Sequence, residues 1–312
     1  MNILSRLPIR SIIKSKLVRR AFRDMLDSRD FRLPKSNPRL ILSRFPRSTF
    51  YRICEINGRD AAPELVVELP IPGTEAAHAS VDGLIFIVCK VLPRFIIRNP
   101  ITREFFKLSA PFGQSYSYDA EKYKFGFGVS GASRRYKVVR ICGSECLVYT
   151  LGSGRWRAVG VGAVAPPLLR SRCDWFSEPA FLGGNLHWLD SETNVICFDL
   201  ETEVLTYFSA PPHQHRSKDD RCFRRVSALD DCLCLTELHC GALDDVEIDI
   251  WFMRNGRDWS KERVIVWEGH GSYIFHCFPV KVFEDGDVAV GRAYDALLQG
   301  GRWRTVSFNS FL

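Results

Sequence analysis

The chain repeats itself. Arg98 to Pro111 reads RNPITREFFKLSAP and Phe198 to Pro211 reads FDLETEVLTYFSAP, with the turn threonines Thr102 and Thr202 and the closing Ser-Ala-Pro in register. Gly154 to Val159 (GRWRAV) returns as Gly301 to Val306 (GRWRTV). Anchored on these matches, six units begin near Arg39, His78, Lys124, Glu178, Arg225 and Phe275. Their period of roughly 40–55 residues lies in the range of kelch-like repeats.

Each unit reads as three strands. The first is apolar and often opened by Gly or Asp, as in Gly83 to Phe86, Gly184 to Trp188, Asp231 to Leu235 and Gly286 to Val290. The second ends in a turn signal, as in Phe95 to Asn99 and Val195 to Asp199. The third carries an aromatic: Phe105, Trp156, Tyr207, Trp259, Trp303. A sheet this small cannot bury both faces alone, and stacking the units around an axis buries them against one another. The expected fold is therefore mostly β, a six-bladed, kelch-like β-propeller over residues 37–312, preceded by a short helical segment over residues 1–36. The first unit (Leu40 to Leu42, Phe50 to Cys54, Leu65 to Leu69) is the least regular. A two-sheet sandwich accounts for the number of strands but not for turn chemistry recurring at this period.

Charge divides the chain at the same boundary. Residues 1–36 hold ten of the 43 Lys and Arg and three of the 36 Asp and Glu, which leaves 33 of each sign in the body. The net +7 thus sits in the head. The neutral body gives no electrostatic reason to bind nucleic acid. The longest apolar runs, such as Gly83 to Cys89, fall far short of the ~20 residues that span a bilayer, so no membrane helix is expected. The 11 cysteines are odd in number, in a chain too long to need stapling. They are expected to be free, mostly buried thiols in a reducing compartment.

Motifs for chemistry are weak. Gly126-Phe127-Gly128-Val129-Ser130-Gly131 fits G-x-G-x-x-G, but a polar segment precedes it and a β-branched strand follows, so its glycines are expected in a loop between strands. Cys232, Cys234, His239 and Cys240 cluster without the C-x-x-C knuckle of a zinc site, and no metal or cofactor is expected. His213-Gln214-His215 lies in a charged loop and is expected to be solvated, whereas His187 beside Trp188 reads as a strand histidine whose ring nitrogens find partners. No nucleophile elbow, P-loop or H-E-x-x-H occurs, so no catalytic residue is assigned.

In the head, Ile9, Ile12, Ile13 and Leu17 follow helical spacing after Pro8, and Ala21, Phe22, Met25 and Leu26 repeat it. Such short helices are marginal alone, so something must cover their apolar face. Three readings fit: a cap on the body, an Arg-rich presequence directing the chain to an organelle, or a docking motif for another protein's helices.

Over nearly its whole length the chain resembles a plant F-box protein of the F-box-associated, kelch-like type. Ile3 to Ile13 (ILSRLPIRSII) resembles the I-L-x-x-L-P core of the F-box, and Arg19 to Leu26 resembles its later segment, with Phe22 where Trp is usual. Met1 cuts into the first helix of that pattern, so the head is expected to be a truncated F-box. In the body the matching pieces are Gly83-Leu84-Ile85, Arg98 to Arg103, Phe125 to Gly128 with Tyr136 to Arg140, Val148 to Arg157, Leu186-His187-Trp188, Phe198-Asp199-Leu200, Leu233-Cys234-Leu235 and Asp249 to Met253. The resemblance implies a non-catalytic substrate receptor of a Skp–cullin–F-box ubiquitin ligase, cytoplasmic or nuclear. Leu4, Leu7, Pro8, Ile9, Ile12, Ile13, Leu17 and Phe22 would contact the Skp-type adaptor, and through it a cullin. The propeller would hold a target protein on rim loops, with Tyr116, Tyr118, Arg172 and Trp175 as candidate anchors, unless these aromatics fill the packing between blades. Alternatives are a propeller scaffold that has lost the adaptor contact and an organelle-targeted propeller with a basic presequence.

Overall fold

The computed structural model describes residues 39–43, 50–55, 64–70, 75–89, 94–100, 102–111, 123–160, 178–190, 193–213, 221–229, 231–240, 246–254, 256, 258–267, 277–282 and 288–292. All their regular structure is β. The first sheet has three strands, β1 (Arg39–Ser43), β2 (Phe50–Glu55) and β3 (Glu64–Pro70). Four four-stranded sheets follow. The second sheet is β4 (Glu75–Val81), β5 (Leu84–Cys89), β6 (Phe95–Arg98) and β7 (Phe105–Leu108). The third is β8 (Lys124–Val129), β9 (Tyr136–Cys142), β10 (Glu145–Thr150) and β11 (Trp156–Val159). The fourth is β12 (Ala180–Leu182), β13 (Asn185–Asp190), β14 (Asn194–Asp199) and β15 (Leu205–Ser209). The fifth is β16 (Arg221–Leu229), β17 (Cys232–Cys240), β18 (Val246–Arg254) and β19 (Asp258–Trp267). A pair, β20 (Cys277–Val282) and β21 (Val288–Arg292), makes the sixth.

Every pairing is antiparallel between neighbours in sequence, as in propeller blades. The leading strands face one another from sheet to sheet: β4 against β8, β12 against β16, β16 against β20. Successive sheets are thus laid side by side, and the expected unit starts at Arg39 and Lys124 coincide with the first residues of β1 and β8. The three-strand reading of each unit is corrected to four strands in the second to fifth sheets, because a leading strand precedes the apolar one. Those leading strands lack alternating β-branched residues. β4 reads EAAHASV, β12 has three residues, and β16 carries Arg221, Arg224 and Arg225. The number of blades in the ring and the helical head involve residues outside the described ones.

The period of two decides which neighbour each side chain meets. On β5, Phe86 and Val88 pack toward the third sheet, while Ile85 and Ile87 join Ile53 and Leu69 of the first. On β9, Val138 packs toward the second sheet and Val139 and Ile141 toward the fourth. Both faces are covered, so β8 is buried at every position. Each fully buried Phe or Leu contributes about 1.5–3 kcal/mol relative to exposure.

Of the glycines of the G-x-G-x-x-G run, Gly126 and Gly128 lie within β8, not in a loop as the sequence suggests, whereas Gly131 lies in the β8–β9 turn as expected. Phe125 and Phe127 face the second sheet, and Gly126 and Gly128 face the fourth. A Cβ on Gly126 would sit 2.5 Å from a ring carbon of Trp188, and one on Gly128 would sit 2.5 Å from a methyl of Leu200. The glycines let the next sheet approach, and Trp188 Nε1 donates to Phe125 O at 3.1 Å across that contact.

The sequence repeats are repeats of geometry. Asn99 N donates to Glu104 O and Arg103 N to Asn99 O, and in the fourth sheet Asp199 N donates to Val204 O and Glu203 N to Asp199 O. Arg103 and Glu203 take the same left-handed conformation, at φ 64° and 60°. The Ser-Ala-Pro ends also share a task. Trp156 Nε1 donates to Ser109 O at 2.7 Å, and Trp259 Nε1 to Ser209 O at 2.9 Å, so an outer-strand tryptophan of one sheet hooks the sheet before it.

Cys89, Cys146 and Cys234 are free and buried, and Cys142, Cys197, Cys222 and Cys232 are free and half-buried. Burial pushes the Cys146 thiol up to about 12. Among the described residues no helix is long and apolar enough to cross a membrane.

Candidate functional site

The turns joining β8 to β9, β10 to β11 and β14 to β15 meet on one rim, where the third and fourth sheets adjoin. Between them lies an open groove of about 780 Å³, lined by Arg134, Arg135, Tyr136, Lys137, Arg157 and Glu201 among others. The β8–β9 turn is fixed by Ser130 N donating to Arg135 O at 3.0 Å and Arg135 N donating to Ser130 Oγ at 2.9 Å. Arg134 at φ 53° turns the chain back, leaving Arg134 and Arg135 exposed.

Two acids of the fourth sheet clamp this rim. Glu201 Oε2 accepts from Ser133 N at 2.8 Å, Ala132 N at 3.1 Å and Ser133 Oγ at 3.1 Å. These bonds hold the Glu201 carboxyl below the usual range, the Ser133 backbone N–H contributing most. Glu203 Oε1 accepts from Lys137 Nζ at 2.7 Å and from Arg157, while Lys137 also donates to Leu200 O. Burial opposes the charge on Glu203, yet the bonds from Arg157 and Lys137 prevail and hold its carboxyl low. The acids stay ionised and the cations stay in place.

At the other lip, Arg134 pairs with Asp82 at 3.0 Å and Tyr136 Oη donates to the same carboxylate at 3.1 Å. Burial, then the Asp82 charge, push the Tyr136 phenol up, so it remains a neutral donor. The Arg135 guanidinium makes no hydrogen bond or ion pair among the described residues. A guanidinium fork of this kind matches a carboxylate or phosphate bidentately.

The residues singled out from sequence as target anchors, Tyr116, Tyr118, Arg172 and Trp175, lie outside the described residues, as do Leu4, Leu7, Pro8, Ile9, Ile12, Ile13, Leu17 and Phe22 of the head. The groove was missed in sequence, although Arg134-Arg135-Tyr136-Lys137 after a Gly-Ala-Ser turn is a legible signal. His187 behaves as expected, buried on β13 with Nδ1 3.4 Å from Ala180 O. His213 does not. Its side chain is 11% exposed, and Nε2 lies 3.7 Å from Glu237 Oε1, because Pro211 and Pro212 carry it in from the end of β15 rather than out into solvent. Of the clustered residues on β17, Cys234 and His239 are buried and Cys232 is half-buried, with His239 Nε2 3.6 Å from Asp249 Oδ2.

Comparison with known proteins assigns the body. Residues 71–271 match the family model described as the F-box associated beta propeller domain. An F-box protein of Arabidopsis thaliana is 24% identical over 269 residues, covering 76% of this chain and 81% of that protein. A second F-box protein of the same plant is 26% identical over 278 residues, covering 81% of this chain and 66% of that one. The second to fifth sheets, the hooks between them and the rim groove thus fall within the matched residues, and the chain belongs to the F-box associated beta propeller domain family, as a plant F-box protein.

Proposed function

We propose that this chain is the substrate-recognition subunit of a Skp–cullin–F-box ubiquitin ligase. Residues 1–36 act as the adaptor-binding head and residues 37–312 as the target-binding propeller. The observation that carries the reading is the family match over residues 71–271, joined to a head whose ILSRLP run and apolar helical spacing call for a partner's cover. Leu4, Leu7, Pro8, Ile9, Ile12, Ile13, Leu17 and Phe22 contact the adaptor. The chain itself forms no bond with ubiquitin.

The rim groove supports target binding by the propeller. Its cations suit an acidic segment of the target, Arg135 offering an uncommitted fork. Phe105 and Phe106 on the outer strand β7, 59% and 44% exposed, add apolar contact area at the edge of the second sheet.

The test is co-purification of the full chain with a plant Skp adaptor and cullin. Capture of both, lost in the Ile12→Asp, Leu17→Asp double variant while the propeller keeps its β circular dichroism, is expected. An intact chain that captures no adaptor removes the ligase role and leaves a propeller scaffold.

A further inference from the structure

We propose that His213, Cys222 and Glu237 form a site for a zinc-class divalent metal between the fourth and fifth sheets. The argument begins with alternation on β17. Leu233 and Leu235 pack against the fourth sheet, and Glu237 and His239 continue the same face. Register sets Arg224 and Cys222 of β16 opposite Glu237 and His239, and Asp249 of β18 opposite Glu237. An apolar seam therefore gives way to polar side chains at one end, and His213 arrives there from beyond β15.

Glu237 Oε1 lies 3.5 Å from Cys222 Sγ and 3.7 Å from His213 Nε2, and one ligand atom from each of the three lies within 4.8 Å of the others. With zinc–ligand bonds of about 2.0–2.3 Å in a tetrahedron, neighbouring ligand atoms stand roughly 3.3–3.7 Å apart. The two separations match that geometry before any metal is present. A set of one imidazole, one thiol and one carboxylate favours zinc over the all-oxygen preference of calcium or magnesium. Three protein ligands leave a fourth position for water.

A second observation points to a cation. Glu237 is fully buried, and its Oε2 has no hydrogen-bond partner among the described residues. A buried carboxylate oxygen without a donor is costly. Arg224 makes a long ion pair with Oε1, its Nε 3.7 Å away, but the end of its guanidinium donates to Pro211 O at 2.6 Å and Oε2 is left without a donor among the described residues. The adjacent trio of Glu237, His239 and Asp249 is the weaker candidate, since Lys261 Nζ at 2.6 Å already neutralises Asp249. On binding, the Cys222 thiol releases its proton to solvent, its thiolate takes the metal, and neutral His213 binds through Nε2.

The test uses the purified full chain, stripped by a chelator and titrated with zinc and with cobalt(II). One equivalent of zinc is expected, and cobalt should develop a thiolate charge-transfer band. Cys222→Ser should abolish that band, and Cys222→Ser and His213→Asn should each weaken zinc binding about tenfold or more. Cys222→His keeps a ligand and should retain zinc without the band. Circular dichroism identifies variants that stay folded, and half-buried Cys222 makes Cys222→Ser the mildest of them. A folded chain that takes up neither metal overturns the site. So does a band or an affinity unchanged in Cys222→Ser, which would assign the metal to other thiols.

Discussion

The seam between the second and third sheets and the seam between the fourth and fifth share a backbone plan and differ in filling. In both, leading strands face each other and an outer-strand tryptophan hooks the preceding Ser-Ala-Pro. The first seam is aromatic. Phe95 and Phe125 stand 5.1 Å apart between centroids and Phe86 and Phe127 6.1 Å, with Trp156 on the edge of Phe95. The second buries smaller side chains, Ala180, Val195, Val226, Leu233 and Leu235, with Phe208, Trp251 and Trp259 only partly buried against them, and then fully buries Glu237 and Asp249. Repetition therefore fixes the frame and leaves the filling free. Apolar filling is the more stable choice, and replacing buried ions by well-packed apolar groups is often neutral or favourable. A seam that keeps its ions is doing something besides holding together.

The widest difference is expected from truncating each filling. Phe127→Ala empties a site of zero exposure among Phe86, Tyr136 and their neighbours and should cost about 3–5 kcal/mol, read from the urea midpoint. Asp249→Asn removes charge from the second seam at nearly constant volume. It leaves Lys261, 27% exposed and able to reach water, so the cost should be about 1–3 kcal/mol. Equal losses from the two variants would mean that the seams are energetically alike and would sink the contrast.

The shared hooks sharpen the comparison from the other side. Trp156→Phe and Trp259→Phe each delete one N–H donor and keep most of the ring, so each should cost about 0.5–1.5 kcal/mol. The two bonds share no partner, so the double variant should lose the sum. A clear excess for either one would show that the hooks depend on what fills the seam beneath.

How much of this was legible in the sequence follows from the same division. The frame was legible because turns and hooks need fixed residue types. Asn99 and Asp199 cap like turns, and Ser109 and Ser209 receive tryptophans one sheet further on. Strands with strong apolar character were legible for the same reason, whereas β4 and β12 were not, being small or short. Gly126 and Gly128 read as loop glycines because nothing local reveals that Trp188 and Leu200 arrive against them. The groove and the His213–Cys222–Glu237 cluster depend on register between strands and on which rim a turn reaches. Glu237 within CLCLTELHC, on the parity of Leu233 and Leu235, was the one clue to a charge on a buried face.

The smallest effect expected is a dependence on pH at the seam between the fourth and fifth sheets. His187 lies on β13 facing the fifth sheet, on the parity of Leu189, with its ring against Phe208. Burial lowers its pKa below the ordinary 6.5, and the hydrogen bond to Ala180 O only partly offsets this. The folded chain therefore holds the ring neutral, while the unfolded chain protonates it near its ordinary value. As pH falls through 6.5 the unfolded state binds more protons, so this stability is full above 6.5, declines down to the folded pKa, and then levels off. Urea midpoints measured from about pH 8 to about pH 5 should fall more steeply for the wild type than for His187→Gln, the difference between the curves isolating one group. The aromatic filling of the other seam also holds an imidazole, His78, with Nε2 3.3 Å from Phe125 O and its ring edge-on to Phe86 and Phe125, but Phe127 itself carries no titrating group, so Phe127→Ala should lower the whole curve with little change in slope. Parallel curves for the wild type and His187→Gln would mean that water reaches the imidazole, and that the fourth and fifth sheets close less tightly than their buried acids require.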